Sequence, residues 1–280
     1  MPDRADRPRR AAVLGSPIAH SRSPQLHLAA YRALGLADWT YERIECSAGQ
    51  LPALVGGLGP EWVGLSVTMP GKFAALQIAD ERTARAELVG SANTLVRIPA
   101  GWRADNTDVD GVTGALREVT GAGWDGAQRA TAVVVGSGGT APAAVVALAG
   151  LGARHVTIVA RNPDRAAPLT ELAGRVGMTG HWCDFVDPAL PGTIADAAAV
   201  VSTVPADAAA AHLPALAGAR VLLDAIYDPW PTPLAAAVTA AGGQVVSGLH
   251  MLLHQAFTQV SQFTGCPAPE EAMRAALQQA

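Results

Sequence analysis

The chain has 280 residues, of which 50% are hydrophobic and only 16% charged, with a net charge of −4. That balance describes one or two globular domains with a sizeable buried core and excludes a long disordered chain. No dense basic stripe follows the polar start Met1–Arg10, which argues against nucleic-acid binding, and no apolar run approaches the length needed to span a bilayer.

Met1–Arg10 reads as a frayed terminus, and the apolar stretch Ala11–Gly15 is too short for a signal sequence, so a cytoplasmic protein is expected. Short β-rich runs then alternate with Ala/Leu-rich stretches, the pattern of βαβ units and parallel sheets. The first half predicts strands at Ala11–Leu14, Thr40–Ile44, Val63–Val67 and Thr94–Arg97, with helices near Pro24–Leu34 and Gln50–Gly56. A helix over Asp108–Thr120 bridges the halves. The second half predicts a buried strand at Ala132–Val135, an Ala/Val helix running through Leu151, and partner strands at Val156–Ala160, Ala199–Thr203, Val221–Ala225 and Gln244–Val246. Asp187–Pro191 and Pro229–Pro233 read as loops, and Gly248–Phe263 as a late helix. Cys46, Cys183 and Cys266 are odd in number and far apart, so they are expected to be reduced thiols rather than a disulfide or metal set.

The segment Val133 to Ala141 carries Gly136, Ser137, Gly138, Gly139 and Thr140 as strand, G-x-G-x-x-A, then helix. Glycines there allow a tight turn and let backbone N–H groups approach a pyrophosphate at the helix N-terminus. The motif alone is weak, but the strand before it, the helix after it and a further strand about 20 residues on are the context it requires. At the end of that further strand NAD sites carry an acidic residue. Here Ala160, Arg161 and Asn162 stand instead, with Arg165 one turn on, which suits the 2′-phosphate of NADP. The expected fold class is thus α/β in two domains. A substrate domain covers 11–111 and is completed by helices at 248–280, a Rossmann-type NADP-binding domain covers 112–247, and a cleft lies between them.

Lys72 is the chain's sole lysine beside 19 arginines. An ammonium can exchange its proton where a guanidinium cannot, so this residue is a candidate for proton transfer, set against chance survival under a composition biased to arginine. It follows Ser66-Val67-Thr68-Met69-Pro70-Gly71, a strand and a Pro-Gly turn. Asparagine is also scarce, and two of its three occurrences lie in polar motifs, Ser91-Ala92-Asn93-Thr94 and Asp105-Asn106-Thr107-Asp108. The first also fits a turn before a strand, and the second a helix N-cap. Ser16 to Pro24 forms another polar cluster, for which a Ser23 cap with Pro24 at the first helical position is the plainer account.

Seven blocks in order resemble the shikimate dehydrogenase family. They are G-x-P-x-x-H-S-x-S-P (Gly15–Pro24), V-T-x-P-x-K (Val67–Lys72), N-T-L (Asn93–Leu95), N-T-D-x-x-G (Asn106–Gly111), the Gly136–Ala141 loop, Y-x-P-x-x-T-P-L (Tyr227–Leu234) and G-x-x-M-L-x-x-Q-A (Gly248–Ala256). The resemblance implies reversible, NADP-linked reduction of 3-dehydroshikimate to shikimate, in the route to chorismate and the aromatic amino acids. It implies that Ser21, Ser23 and Tyr227 bind the substrate carboxylate and that Thr68, Asn93, Asp108 and Gln255 hold the ring hydroxyls. Lys72 matches the catalytic lysine with Asp108 as its partner, and both stand as candidates for the formal base. On the cofactor side it adds Thr203, Ala225, Gly248 and Met251. The sequence departs from the family at Leu28, Ser66 and Ser202, where asparagine is usual, and at Ala160-Arg161-Asn162, where N-R-T is usual.

The rivals are a quinate/shikimate or aminoshikimate dehydrogenase, and a non-catalytic metabolite sensor on the same scaffold. An acidic residue at 161 would favour the NAD-linked quinate form, and a sensor is expected to lose Lys72 or Asp108. His250 and His254 lie four apart but lack the rest of an H-E-x-x-H set, so no metal is expected. Trp39, Trp62, Trp102, Trp124, Trp182 and Trp230 read as core or cleft packing. The oligomeric state is not legible, and a small molecule is the expected partner.

Overall fold

The computed structural model describes residues 8–121 and 130–278; Trp124 lies outside them. The chain forms two compact units, the first holding residues up to Thr107 together with those from Leu252 onward, the second Asp108–Met251.

The first unit contains β1 (Arg9–Gly15), α1 (Ser23–Ala33), β2 (Trp39–Glu45), α2 (Leu51–Gly56), β3 (Trp62–Val67), α3 (Lys72–Ile78), β4 (Glu81–Arg82), α4 (Ala84–Val89), β5 (Thr94–Ile98) and β6 (Gly101–Asp105). The second contains α5 (Asp108–Thr120), β7 (Thr131–Val135), α6 (Ala141–Gly150), β8 (His155–Val159), α7 (Pro163–Arg175), β9 (Thr179–Cys183), α8 (Leu190–Asp196), β10 (Ala199–Ser202), α9 (Ala206–Ala210), α10 (Leu213–Leu216), β11 (Val221–Asp224), α11 (Pro233–Ala240) and β12 (Gln244–Ser247). Then α12 (Gly248–Thr264) begins in the second unit and ends in the first, followed there by α13 (Glu270–Gln278).

The sheet of the first unit runs β2-β1-β3-β5-β6-β4. The parallel pairing expected from the alternating pattern does not extend to β5, which runs antiparallel to both β3 and β6. The β5–β6 hairpin turns at Pro99-Ala100, a connection too short for the crossover that parallel strands need. Successive residues of β1 serve opposite faces, as strand geometry demands. Ala11 and Val13 pack with Tyr31 of α1, Tyr41 of β2 and Phe263 of α12, whereas Ala12 and Leu14 pack with Leu51 and Val55 of α2 and Ala75 of α3. A Cβ at Gly64 would run into the Phe263 ring, so glycine is what lets α12 lie directly on β3. Leu26 and Ala30 of α1, Leu253 and Val260 of α12 and Met273 of α13 close the outer layer.

The second sheet is parallel throughout, in the order β12-β11-β10-β7-β8-β9. From β7 the chain winds outward through β8 and β9, then returns to β10 on the other side of β7. The switch point between β7 and β10 is where such sheets bind their ligands. Both faces are covered, so the strands read as the near-continuous apolar runs that made them visible in the sequence. The loops expected at Asp187–Pro191 and Pro229–Pro233 give way to helices before their ends, since α8 starts at Leu190 and α11 at Pro233.

Candidate active site

In the first unit, the C-terminal ends of β1, β2 and β3 gather the polar loops. Glu45 accepts from the Ser16 hydroxyl (2.6 Å) and the Ile18 N–H (3.2 Å), and the Arg43 guanidinium donates to the Ser21 carbonyl (2.8 Å). The loop from Gly15 to Arg22 is thus fastened to β2. Ser23 is not the cap of α1. The cap position belongs to Arg22 without any side-chain cap bond, Ser23 opens the helix and Pro24 follows it. The Ser21 hydroxyl oxygen takes the Ser23 N–H at 3.3 Å, and both serines are buried.

Thr68 follows β3, its N–H on the Leu14 carbonyl (2.8 Å), and its own carbonyl accepts from Gly71 N–H (2.9 Å) to close the turn. Lys72 then opens α3 and is only 7% exposed. Lysine is rarely buried to that degree. Its carbonyl accepts from Ala92 N–H at 3.0 Å, which brings the backbone beside Asn93.

Asn93 is fully enclosed. Its Oδ1 accepts from Thr107 N–H (2.7 Å), the Thr107 hydroxyl (3.2 Å) and the Thr94 hydroxyl (2.8 Å), while Nδ2 donates to Gln255 Oε1 (2.7 Å) and Thr107 Oγ1 (3.0 Å). Asn106 lies just before α5, which starts at Asp108, and its Nδ2 donates to the Ser91 carbonyl (2.9 Å) and hydroxyl (3.2 Å). Next to it, burial alone would raise the Asp105 carboxyl, but Arg85, Gln262 and Thr83 more than offset this and hold it below the usual carboxylate range. Asp108, also buried, opens α5 in the second unit.

In the second unit, Gly136 leaves β7 with φ of +111°, and a Cβ there would stand 2.6 Å from Thr203 Oγ1, beyond β10. The Thr203 N–H and hydroxyl both donate to the Val135 carbonyl, at 2.8 and 3.0 Å. The switch point therefore brings Gly136 and Thr203 together. Beyond Gly136, Ser137 is half-buried, Gly138 and Gly139 have open space where side chains would project, and Thr140 opens α6 without a side-chain cap before buried Ala141. Such an uncapped N-terminus reached over bare backbone fits a pyrophosphate.

At the end of β8, Ala160 is pinned by its N–H to the Cys183 carbonyl (3.1 Å) and by its carbonyl to the Trp182 indole N–H (2.8 Å). Arg161 and Arg165 are exposed, and Asn162 caps α7, accepting from Asp164 N–H (2.8 Å) and Arg165 N–H (3.4 Å). Two guanidiniums without a carboxylate at the strand end fit NADP rather than NAD. Tyr227 lies half-buried between β11 and α11, in a loop held by Asp224, which accepts from the Thr232 hydroxyl (2.7 Å) and Ile226 N–H (3.2 Å). Ala225, buried Gly248 and buried Met251 follow the neighbouring strand ends.

The profile of the shikimate dehydrogenase substrate-binding domain matches residues 13–95, and that of the shikimate 5′-dehydrogenase C-terminal domain matches 248–278. The chain is 40% identical to the NADP(+) shikimate dehydrogenase of Methylobacterium radiotolerans, over 88% of each protein. The chain belongs to the shikimate dehydrogenase family. Among solved structures it is similar to the shikimate dehydrogenase of Mycobacterium tuberculosis, with a TM-score of 0.90, 66% identity and coverage of 98% of this chain and 100% of that one. It is also similar to the shikimate 5-dehydrogenase of Mycobacterium fortuitum, with a TM-score of 0.85, 69% identity and coverage of 96% and 97%.

Around the residues the family motifs single out, the structure adds a buried polar set to which motif reading assigned no role: His27, Tyr41, Thr107 and Gln259. Tyr41 donates to Ser66 Oγ (2.7 Å) and shares a hydrogen bond with Ser23, and burial pushes its hydroxyl pKa up. His27 stacks on Tyr41 with ring centroids 4.0 Å apart, and burial lowers its pKa to about 3 despite its bond to Gln259. One signal was present in the sequence: Gln259 follows Gln255 by four residues, hence on the same helix face. His250 bonds Ser247 (3.1 Å), His254 meets Phe257 edge-on, and Trp182 and Trp230 are 42% and 40% exposed rather than core.

Proposed function

We propose that this protein is an NADP-dependent shikimate dehydrogenase that reduces 3-dehydroshikimate to shikimate, reversibly, on the route to aromatic amino acids. The observation that carries the reading is Lys72, a sole lysine held almost wholly buried beside Asn93 in a chain of this family. Ser21, Ser23 and Tyr227 are assigned to the carboxylate, and Thr68, Asn93, Asp108 and Gln255 to the ring hydroxyls. Bound NADPH supplies hydride. Lys72, with Asp108 as its partner, exchanges the proton that must reach the carbonyl oxygen as it becomes a hydroxyl, and recovers it in the reverse direction. Gly136 to Ala141 are assigned to the pyrophosphate, Ala160 to Asn162 and Arg165 to the 2′-phosphate end, and Thr203, Ala225, Gly248 and Met251 to the remainder of the dinucleotide.

No described helix is long and apolar enough to cross a membrane. We place the protein in the cytoplasm, where its three free thiols persist. The test is nicotinamide reduction followed spectrophotometrically with shikimate and with quinate, each with NADP and NAD. Turnover of shikimate with NADP well above the other three pairs is expected. A preference for quinate with NAD would overturn the reading.

A further inference from the structure

We propose that Gln259 is a positioning residue for the shikimate site, holding Ser66 and Thr94 so that a single donor–acceptor order runs from Tyr41 through Asn93 to Gln255. The inference rests on the proposed function above, and all of its atoms lie in the first unit.

The Gln259 amide is buried and uses both of its ends. Its Oε1 accepts from the Ser66 hydroxyl (2.9 Å) and from His27 Nε2 (3.3 Å). Its Nε2 donates to Thr94 Oγ1 (3.0 Å) and lies 3.5 Å from the Asn93 carbonyl. A carbonyl can only accept, so Nε2 must face β5 and Oε1 must face Ser66. The neutral His27 ring therefore carries its proton on Nε2. Ser66 spends its proton on Gln259 and takes one from Tyr41. Thr94, receiving from Gln259, donates to Asn93 Oδ1.

The same order continues beyond Asn93. Its Oδ1 is fixed by the Thr107 backbone N–H, which can only donate, so Nδ2 points to Gln255 Oε1. The amide N–H groups of Gln255 are what remains to meet a substrate. A ring hydroxyl placed there accepts at its oxygen and directs its own proton elsewhere, as proton exchange with another group requires. Hydroxyls rotate freely; the fixed amide of Gln259 denies Ser66 the reverse order, and together with Asn93 Oδ1 it holds Thr94 as the donor to Asn93.

Position 66 strengthens the assignment. Ser66 stands where the family usually has asparagine, and β3 and β5 pair Ser66 directly opposite Thr94. A serine side chain carries no amide to offer its neighbour across the strands. Gln259, reaching from α12, supplies that amide from the other side. An asparagine introduced at 66 carries the amide on β3 itself, within cross-strand reach of Thr94.

Steady-state kinetics of Gln259→Ala, Gln259→Met and the double variant Ser66→Asn/Gln259→Ala tests this. Either single variant is expected to lower kcat/KM for shikimate by about 10- to 100-fold, the usual worth of one or two buried hydrogen bonds, with the NADP KM changed by less than about twofold. The methionine variant keeps the volume, so its loss is not that of a cavity. The double variant is expected to recover most of what Gln259→Ala loses, a rescue that a merely structural role does not give. The inference is overturned if Gln259→Met keeps shikimate turnover near the parent value, if shikimate and NADP suffer alike, or if the double variant is no better than Gln259→Ala. The parent protein tests the underlying reading separately. Turnover of quinate without shikimate would overturn that reading while leaving the same variant-to-parent ratios to be measured on quinate.

Discussion

Replacing Arg161 by alanine isolates the choice of cofactor. The backbone on which Arg161 stands is locked, because Ala160 is held on both sides by Cys183 and by the Trp182 indole. Arg161 itself is exposed, so its removal leaves no buried cavity and should not shift the melting temperature appreciably. A hydrogen bond between a guanidinium and a phosphate contributes about 1.5–3 kcal/mol, and the low end applies to a solvated site. One such bond is worth about tenfold in affinity and a bidentate pair about a hundredfold, at about 1.4 kcal/mol per decade. The KM for NADP should therefore rise about 10- to 100-fold in Arg161→Ala, while that for NAD, which has no 2′-phosphate, should barely move. Adding Arg165→Ala should weaken NADP further and still spare NAD. The assay is initial rate against each dinucleotide at saturating shikimate. Equal losses for NADP and NAD would show that the arginine supports the fold or the adenine rather than the 2′-phosphate.

Lys72→Arg retains the charge but not the exchangeable proton, so kcat should fall by about 10²- to 10⁴-fold with the shikimate KM little altered; a near-normal kcat would end the proton-transfer assignment. Asp108→Asn should also lower kcat, and the double variant should lose less than the product of the two single losses if the pair acts as a unit. Ser23→Ala should raise the shikimate KM at unchanged NADP KM, because Ser23 opens α1 without capping it; a lower melting temperature with loss of both ligands would refute this. Because His27 is held neutral down to about pH 3 while an unfolded histidine titrates near 6.5, its contribution is complete above pH 6.5 and is lost as pH falls from there toward 3, at no more than about 1.4 kcal/mol per pH unit. Thermal melts at pH 7 and pH 5 should therefore diverge less in His27→Phe than in the parent, and an undiminished difference would remove His27 as their source.

The elements the sequence made legible are those whose pattern is set by burial alone. The core strands of the second sheet, such as Val133 to Val135 and Val156 to Val159, are apolar on both faces and bounded by glycine or polar residues, so their runs stand out. What escaped were short elements, edge strands and one proline-bearing helix. Glu81–Arg82 has no periodicity to detect, and Thr179–Cys183 is an edge strand with mostly exposed residues. Pro163–Arg175 carries Pro168 in its interior, a residue that argues against a helix until its setting is known. Gly101–Asp105 was lost for a different reason. It is half of an antiparallel hairpin inside a chain whose alternating pattern otherwise speaks for parallel crossovers.

The site divides in the same way. The residues assigned to a ligand stood out because their chemistry is unusual where it occurs: a single lysine, three asparagines, glycines where a strand becomes a helix. The residues that hold them are ordinary ones made significant only by pairing. Ser66 and Gln259 are 193 positions apart, and Tyr41 reaches Ser66 across β1, where Ala11 pairs with Tyr41 and Val13 with Ser66. No local spacing encodes that meeting; it follows from strand order and from the helix that lies on Gly64. The Ser66 departure from the family was legible as a missing amide, but the sequence did not say where the replacement came from. Only the register of β3 against β5, with α12 over both, turns a gap in one motif and an unassigned glutamine elsewhere into two halves of one arrangement. That dependence is why the double variant at 66 and 259 is the more searching experiment: it asks whether the amide matters by its position in space, regardless of which element delivers it.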